Sequence, residues 1–92
     1  MARTVILARI TGRVQGVGFR WWTRDEATAL GLGGWVRNER DGSVSALLAG
    51  PQVAVAAMIA RLGDGPAGAA VTGIITEPAD APDDPGRFQI LR

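Results

Sequence analysis

Cysteine, histidine, lysine and tyrosine are absent from the sequence. Without cysteine there is no disulfide and no thiol nucleophile. Without cysteine and histidine the usual zinc ligand sets are excluded. The missing lysine removes Schiff-base chemistry, and the missing histidine removes any triad built on an imidazole. The remaining reactive groups are Arg, Asp, Glu, Ser, Thr, Asn, Gln and the backbone. A metal site would have to be made of carboxylates alone, and no acidic cluster with ligand spacing occurs, so no metal and no cofactor is expected. Any catalysis must then work by positioning and electrostatics. No apolar run is long enough to span a bilayer. The Val5–Ile10 stretch contains Arg9 and runs straight into a glycine loop, so it reads as a strand rather than a signal peptide, and a cytoplasmic location is expected. All ten basic residues are arginine, against nine acidic ones, for a net charge of +1. Such a balance carries no strong nucleic-acid footprint.

The most informative stretch runs from Gly12 to Arg20, Gly-Arg-Val-Gln-Gly-Val-Gly-Phe-Arg. It lies between a β-branched apolar run and a helical one. Gly12, Gly16 and Gly18 permit a tight loop with exposed backbone N–H groups. A glycine loop leading into a helix N-terminus favours an anion, because the N–H groups and the helix dipole both point at it. Arg20 adds a planar, permanently charged fork that matches two phosphate oxygens. The loop is therefore the candidate active site, for a phosphoryl group. Glycine loops before helices are more often plain turns, so the loop alone is weak support for that assignment.

Val5 to Thr11 has strand character, with Ile6, Ala8 and Ile10 on one face and Gly12 ending it. Phe19 or Arg20 to Leu30 reads as a helix with Phe19, Trp22, Ala27 and Leu30 on one stripe. Trp21 falls off that stripe. Thr23 and Glu26 match a capping box that would start the helix later; the need for Trp22 on the stripe favours the earlier start. Gly31 stops the helix as a left-handed cap, with Leu32 packing beneath it. Trp35 to Arg40 is a second strand, Asp41-Gly42 a hairpin signal, and Ser43 to Ala49 a third strand. Pro51 suits the first helical position. Gln52–Leu62 places Val55, Met58, Ile59 and Leu62 at helical spacing, with Gly63 as its cap. Val71 to Glu77 is a fourth strand. Pro78–Gly86 is an exposed connection, and Arg87–Arg92 can add a short last strand. The order β-α-β-β-α-β predicts one α+β domain over residues 1–92, ferredoxin-like, with two helices on one face of a mostly antiparallel four-stranded sheet and room for a short fifth strand.

Fold order alone settles no function. Two motifs go further. Gly12–Arg20 is one; Gly34-Trp35-Val36-Arg37-Asn38 followed by Asp41-Gly42-Ser43-Val44 and Gly50-Pro51 is the other. Together they closely resemble the acylphosphatase family. The resemblance is detailed from the first strand to about Gly50 and continues more loosely to Val71. It implies metal-independent hydrolysis of acyl phosphates, which are carboxyl-phosphate anhydrides, with no covalent intermediate. It places the family's phosphate-binding arginine on Arg20 and its water-positioning asparagine on Asn38. The backbone-amide cradle falls on Gln15, Gly16, Val17, Gly18, Phe19 and Arg20. A carboxylate leaving group needs no strong general base, which suits a chain without histidine. A monomer with a small acyl phosphate substrate and phosphate product is expected, with neither membrane nor nucleic acid as partner.

Two other readings share this fold. One is a non-catalytic anion- or RNA-binding module, which would display paired aromatics on the open sheet face and a basic surface; that face offers Trp35 alone. The other is an acylphosphatase-like domain of a carbamoyl-transfer maturation enzyme, a longer protein. Arg13 and Arg37 read as rim charges. Glu39 alternates to the face opposite Asn38, which argues against a role as base.

Overall fold

The computed structural model describes residues 3–92. Its elements are β1 (Arg3–Arg13), α1 (Phe19–Ala29), β2 (Gly33–Asn38), β3 (Val44–Pro51), α2 (Gln52–Asp64), β4 (Ala70–Pro78) and β5 (Phe88–Ile90). The sheet order is β4-β1-β3-β2-β5. The β1–β3, β1–β4 and β2–β3 pairs are antiparallel, and β5 runs parallel to β2. The expected ferredoxin-like arrangement is therefore present, and its short fifth strand forms beside β2.

One face of the sheet carries the core. Register places Ile10 opposite Val44, Ala8 opposite Ala46 and Val36 opposite Ala46. These side chains are fully buried against Phe19 and Ala27 of α1 and Val55, Met58 and Leu62 of α2. Both helices thus cover the same face, as two amphipathic helices on one sheet must. The other face is partly open. Leu7, Leu47 and Trp35 line up across it, followed by Arg9, Ser45 and Arg37. Arg37 stacks its guanidinium 4.7 Å from the Trp35 ring centre and pairs with Glu39 at 3.1 Å. Arg37 therefore belongs to this face. Ser45 and then Arg37 hold the Glu39 carboxyl below the ordinary glutamate value. Glu39 is turned away from the helix side, as strand alternation requires.

Several local expectations change. β1 does not end at Gly12; a bulge between Thr11 and Gly12 lets it continue to Arg13. Helix α1 does start at Phe19, the earlier start that Trp22 favours, with Gly18 as its cap, and Thr23 and Glu26 form no capping box. Thr23 lies fully buried in mid-helix, and Glu26 instead reaches Arg61 of α2 at 3.2 Å. The end of α1 follows the sequence. Leu32 N–H donates to Ala27 O and Gly31 N–H to Thr28 O, a Schellman motif around left-handed Gly31. Pro51 ends β3 and caps α2 from outside, in extended backbone, rather than filling the first helical position. The C-cap of α2 is Gly65, not Gly63, because Gly65 N–H donates to Arg61 O at a positive φ of 69°. β2 stops at Asn38, leaving Glu39 and Arg40 to a turn.

That turn is wider than a two-residue hairpin. Glu39 N–H donates to Ser43 O at 2.8 Å, and the Asp41 carboxylate accepts from both the Ser43 amide and its hydroxyl. The aspartate thus builds an Asx-type turn around Gly42.

Candidate active site

Strand direction decides where the site lies. β2 is antiparallel to β3, which is antiparallel to β1, so β1 and β2 point the same way. β5 is parallel to β2. The carboxyl ends of β1, β2 and β5 therefore meet at one end of the sheet, together with the N-terminus of α1. The residues at those ends are the Val14–Gly18 loop, Asn38 and Leu91.

The loop is held by its apolar members and bent by its glycines. Val14 and Phe19 are buried, and Val17 packs against the core. Gly16 and Gly18 both adopt φ of 76°, in the left-handed region. A Cβ at either position would meet no atom within 4 Å. Glycine is needed there for backbone conformation and not for space. Alternating left-handed residues turn successive N–H groups toward one side, the geometry of an anion nest. The helix that follows has no side-chain cap and no acidic residue in its first turn. Trp22 N–H is taken by Gly18 O at 3.0 Å. The earlier amides of α1 remain available to a ligand, and an anion is the partner the dipole favours.

Arg20 sits in that first turn, half-buried. Its Nη1 donates to the Leu91 carbonyl at 3.4 Å, near the limit of a hydrogen bond. Most of its five donors stay free. Leu91 is itself fixed, because its N–H donates to Val36 O at 2.8 Å. Asn38 lies on the helix-side face with Val36, opposite Val44. It is half-buried, and among the described residues its side-chain amide has no hydrogen-bond partner. Gln15 joins the two halves of the site: its Nε2 donates to Glu39 O at 2.8 Å and to Ser43 O at 2.9 Å. The loop is thereby tied to the turn that begins one residue after Asn38. The sequence reading places Gln15 in the cradle through its backbone N–H; the structure adds this side-chain hold on the turn. The Leu91 carbonyl carried no sequence signal. Among the described residues, no three acidic side chains come close enough to hold a metal ion.

The fold and the site define a class: a small α+β sandwich with a glycine loop leading into a helix N-terminus, an arginine and an asparagine amide at one end of its sheet. The sequence model of the acylphosphatase family matches residues 6–90. A Rhizobium etli protein named acylphosphatase is 62% identical over 85 residues, covering 92% of this chain and 90% of that protein. One from Mesorhizobium japonicum, with the same name, is 57% identical and covers 97% of this chain and 95% of that protein. The crystal structure of acylphosphatase from Bacillus subtilis superposes with a TM-score of 0.91 at 33% identity, covering 99% of this chain and 100% of that one. The chain belongs to the acylphosphatase family.

Proposed function

We propose that the Gln15–Arg20 loop amides and the Arg20 guanidinium bind the phosphoryl group of an acyl phosphate, and that Asn38 orients the attacking water. The activity is hydrolysis of acyl phosphates to a carboxylate and inorganic phosphate. Water adds to phosphorus while the bond from phosphorus to the acyl oxygen breaks. The electron pair leaves with the carboxylate, and the water's protons pass to phosphate and solvent. Because the carboxylate is a good leaving group, the protein need not supply a strong base. Its task is to hold the phosphoryl group in line with water and to neutralise charge on the equatorial oxygens. The free N–H groups of the loop and α1, with Arg20, do the second as an oxyanion hole does. Asn38 accepts a hydrogen bond from water through its carbonyl oxygen. The observation that carries this reading is the meeting of the α1 N-terminus, which no side chain caps, with Arg20 and Asn38 at the shared carboxyl ends of β1 and β2. We further propose that residues 1–92 act as one monomeric, cytoplasmic domain that needs no metal or cofactor.

Turnover of benzoyl phosphate in the presence of a chelator tests the reading. Arg20→Ala should lose binding and catalysis together, on the order of 10²–10³ in kcat/KM or more. Asn38→Ala should lower kcat and leave inhibition by inorganic phosphate, which competes for the same cradle, near the parent value. Equal losses in both parameters for both folded variants would overturn this division of roles. Activity abolished by the chelator would overturn the metal-free mechanism.

A further inference from the structure

Beside the phosphate loop runs an open groove of about 500 Å³, lined by Arg20, Trp21, Arg24, Arg87, Gln89 and Arg92 among others. Its volume lies in the range of small-molecule sites and exceeds what a phosphoryl group alone requires. Of these side chains only Arg20 belongs to the phosphate site described above. Four of the chain's ten basic residues line the groove, and none of its nine acidic residues does. On a chain whose net charge is +1, that is a local excess of one sign. β5 creates it by docking against β2, beside α1, which brings Arg87 and Arg92 to the helix that carries Arg20 and Arg24. Among the described residues, Arg87 and Arg92 form no ion pair. Arg24 meets Asp25 at 3.3 Å, an exposed contact between chain neighbours, which binds weakly in water. The Arg24 guanidinium also lies 4.5 Å from the Trp21 ring centre, and Trp21 is 58% exposed. That stack holds the cation along the groove wall.

We propose that this groove is the subsite for the acyl tail, and that Arg24, Arg87 and Arg92 favour acyl phosphates whose tail carries a second anionic group. The proposal rests on the phosphate-site assignment above: with the phosphoryl group on the loop and Arg20, a tail leaving along the groove passes the other three arginines. A carboxylate or phosphate there gains charge-assisted hydrogen bonds that an uncharged tail cannot make. The arginines are exposed enough for salt to screen them, so the preference is moderate and falls as ionic strength rises.

The test compares benzoyl phosphate with 4-carboxybenzoyl phosphate, which differ by one carboxylate at the far end of the ring. At low salt, kcat/KM should favour the carboxylated substrate by roughly 5–10-fold, the scale of two or three partly exposed charge pairs. The ratio should fall toward one in high salt and in Arg24→Gln, Arg87→Gln and Arg92→Gln. Arg9→Gln removes the same charge from the opposite face of the sheet and should keep the ratio. Equal kcat/KM for the two substrates, with benzoyl phosphate turned over, overturns the subsite and leaves the proposed function standing. An equal fall of the ratio in Arg9→Gln also overturns it, by assigning the preference to overall charge. Failure to hydrolyse either substrate overturns the proposed function, and the subsite with it.

Discussion

The Gln15 side chain is hydrogen-bonded to the backbone of Glu39, Nε2 to carbonyl oxygen, at 2.8 Å. Glu39 directly follows Asn38, so the residue that opens the glycine loop also sets the strand end that presents Asn38, the amide proposed to orient water. Gln15→Ala removes this bond and the one to Ser43 O. Both carbonyls keep a backbone donor, Gly42 N–H for Glu39 O and Glu39 N–H for Ser43 O, so the cost is the net worth of two hydrogen bonds, about 1–3 kcal/mol in stability. Because the loop amides stay in place, kcat should fall by about tenfold, equivalent to ~1.4 kcal/mol of barrier, with a smaller change in phosphate inhibition. Denaturant titration and steady-state kinetics on the same preparation check both.

Gly18→Ala isolates backbone conformation. The added methyl meets nothing within 4 Å, yet the residue must hold φ near 76°. The cost is strain alone, roughly 1–2 kcal/mol. Relaxation of that strain turns the loop amides away from the cradle, so phosphate should inhibit less well while the fold persists. The phosphate inhibition constant and the circular dichroism spectrum together separate this outcome from unfolding.

Thr23 is fully buried, and among the described residues its Oγ1 has no hydrogen-bond partner. An unsatisfied buried hydroxyl is unfavourable, and valine has nearly the same shape and helix propensity. Thr23→Val should raise stability by about 1 kcal/mol, read as a higher denaturant midpoint, with kinetics unchanged.

The Ser43 hydroxyl first, and then the Ser43 amide, hold the Asp41 carboxyl below the ordinary aspartate value. A carboxyl lowered in the native state stabilises it at every pH above the unfolded value, about 3.9, and loses that contribution as pH falls through the native value. Asp41→Asn removes the charge and keeps an acceptor. Its Tm should lie below that of the parent at neutral pH, and the two should converge in acid. A gap that stays constant down to strongly acid pH would refute this.

Residues whose backbone chemistry is local were readable before the structure. Gly16, Gly18 and Gly31 sit in left-handed conformations where a loop or a helix stop required them. Alternation placed Asn38 with Val36 on the helix side and Glu39 on the other. The capping-box pattern at Thr23 and Glu26 rightly yields to the earlier helix start, because a core position outweighs a local hydrogen-bonding pattern. Neither the hold of Leu91 on Arg20 nor the gathering of Arg87 and Arg92 beside α1 could be read locally. Both depend on which sheet edge β5 joins, and three residues of strand carry no pairing information of their own.

That pairing also divides the molecule's contacts into two sets. β5 is the last of the five strands to be synthesised, and it joins β2, made some fifty residues earlier, by parallel pairing across the sheet edge. β1 to β3 and the two helices, with Val14 and Leu32 between them, supply all of the buried core cluster except Phe88 of β5. The Leu91 carbonyl reaches Arg20 only through β5. The packing of the core and the placement of the arginine thus rest on different contacts, so a change at the β2–β5 edge reaches the guanidinium while leaving most of the core untouched.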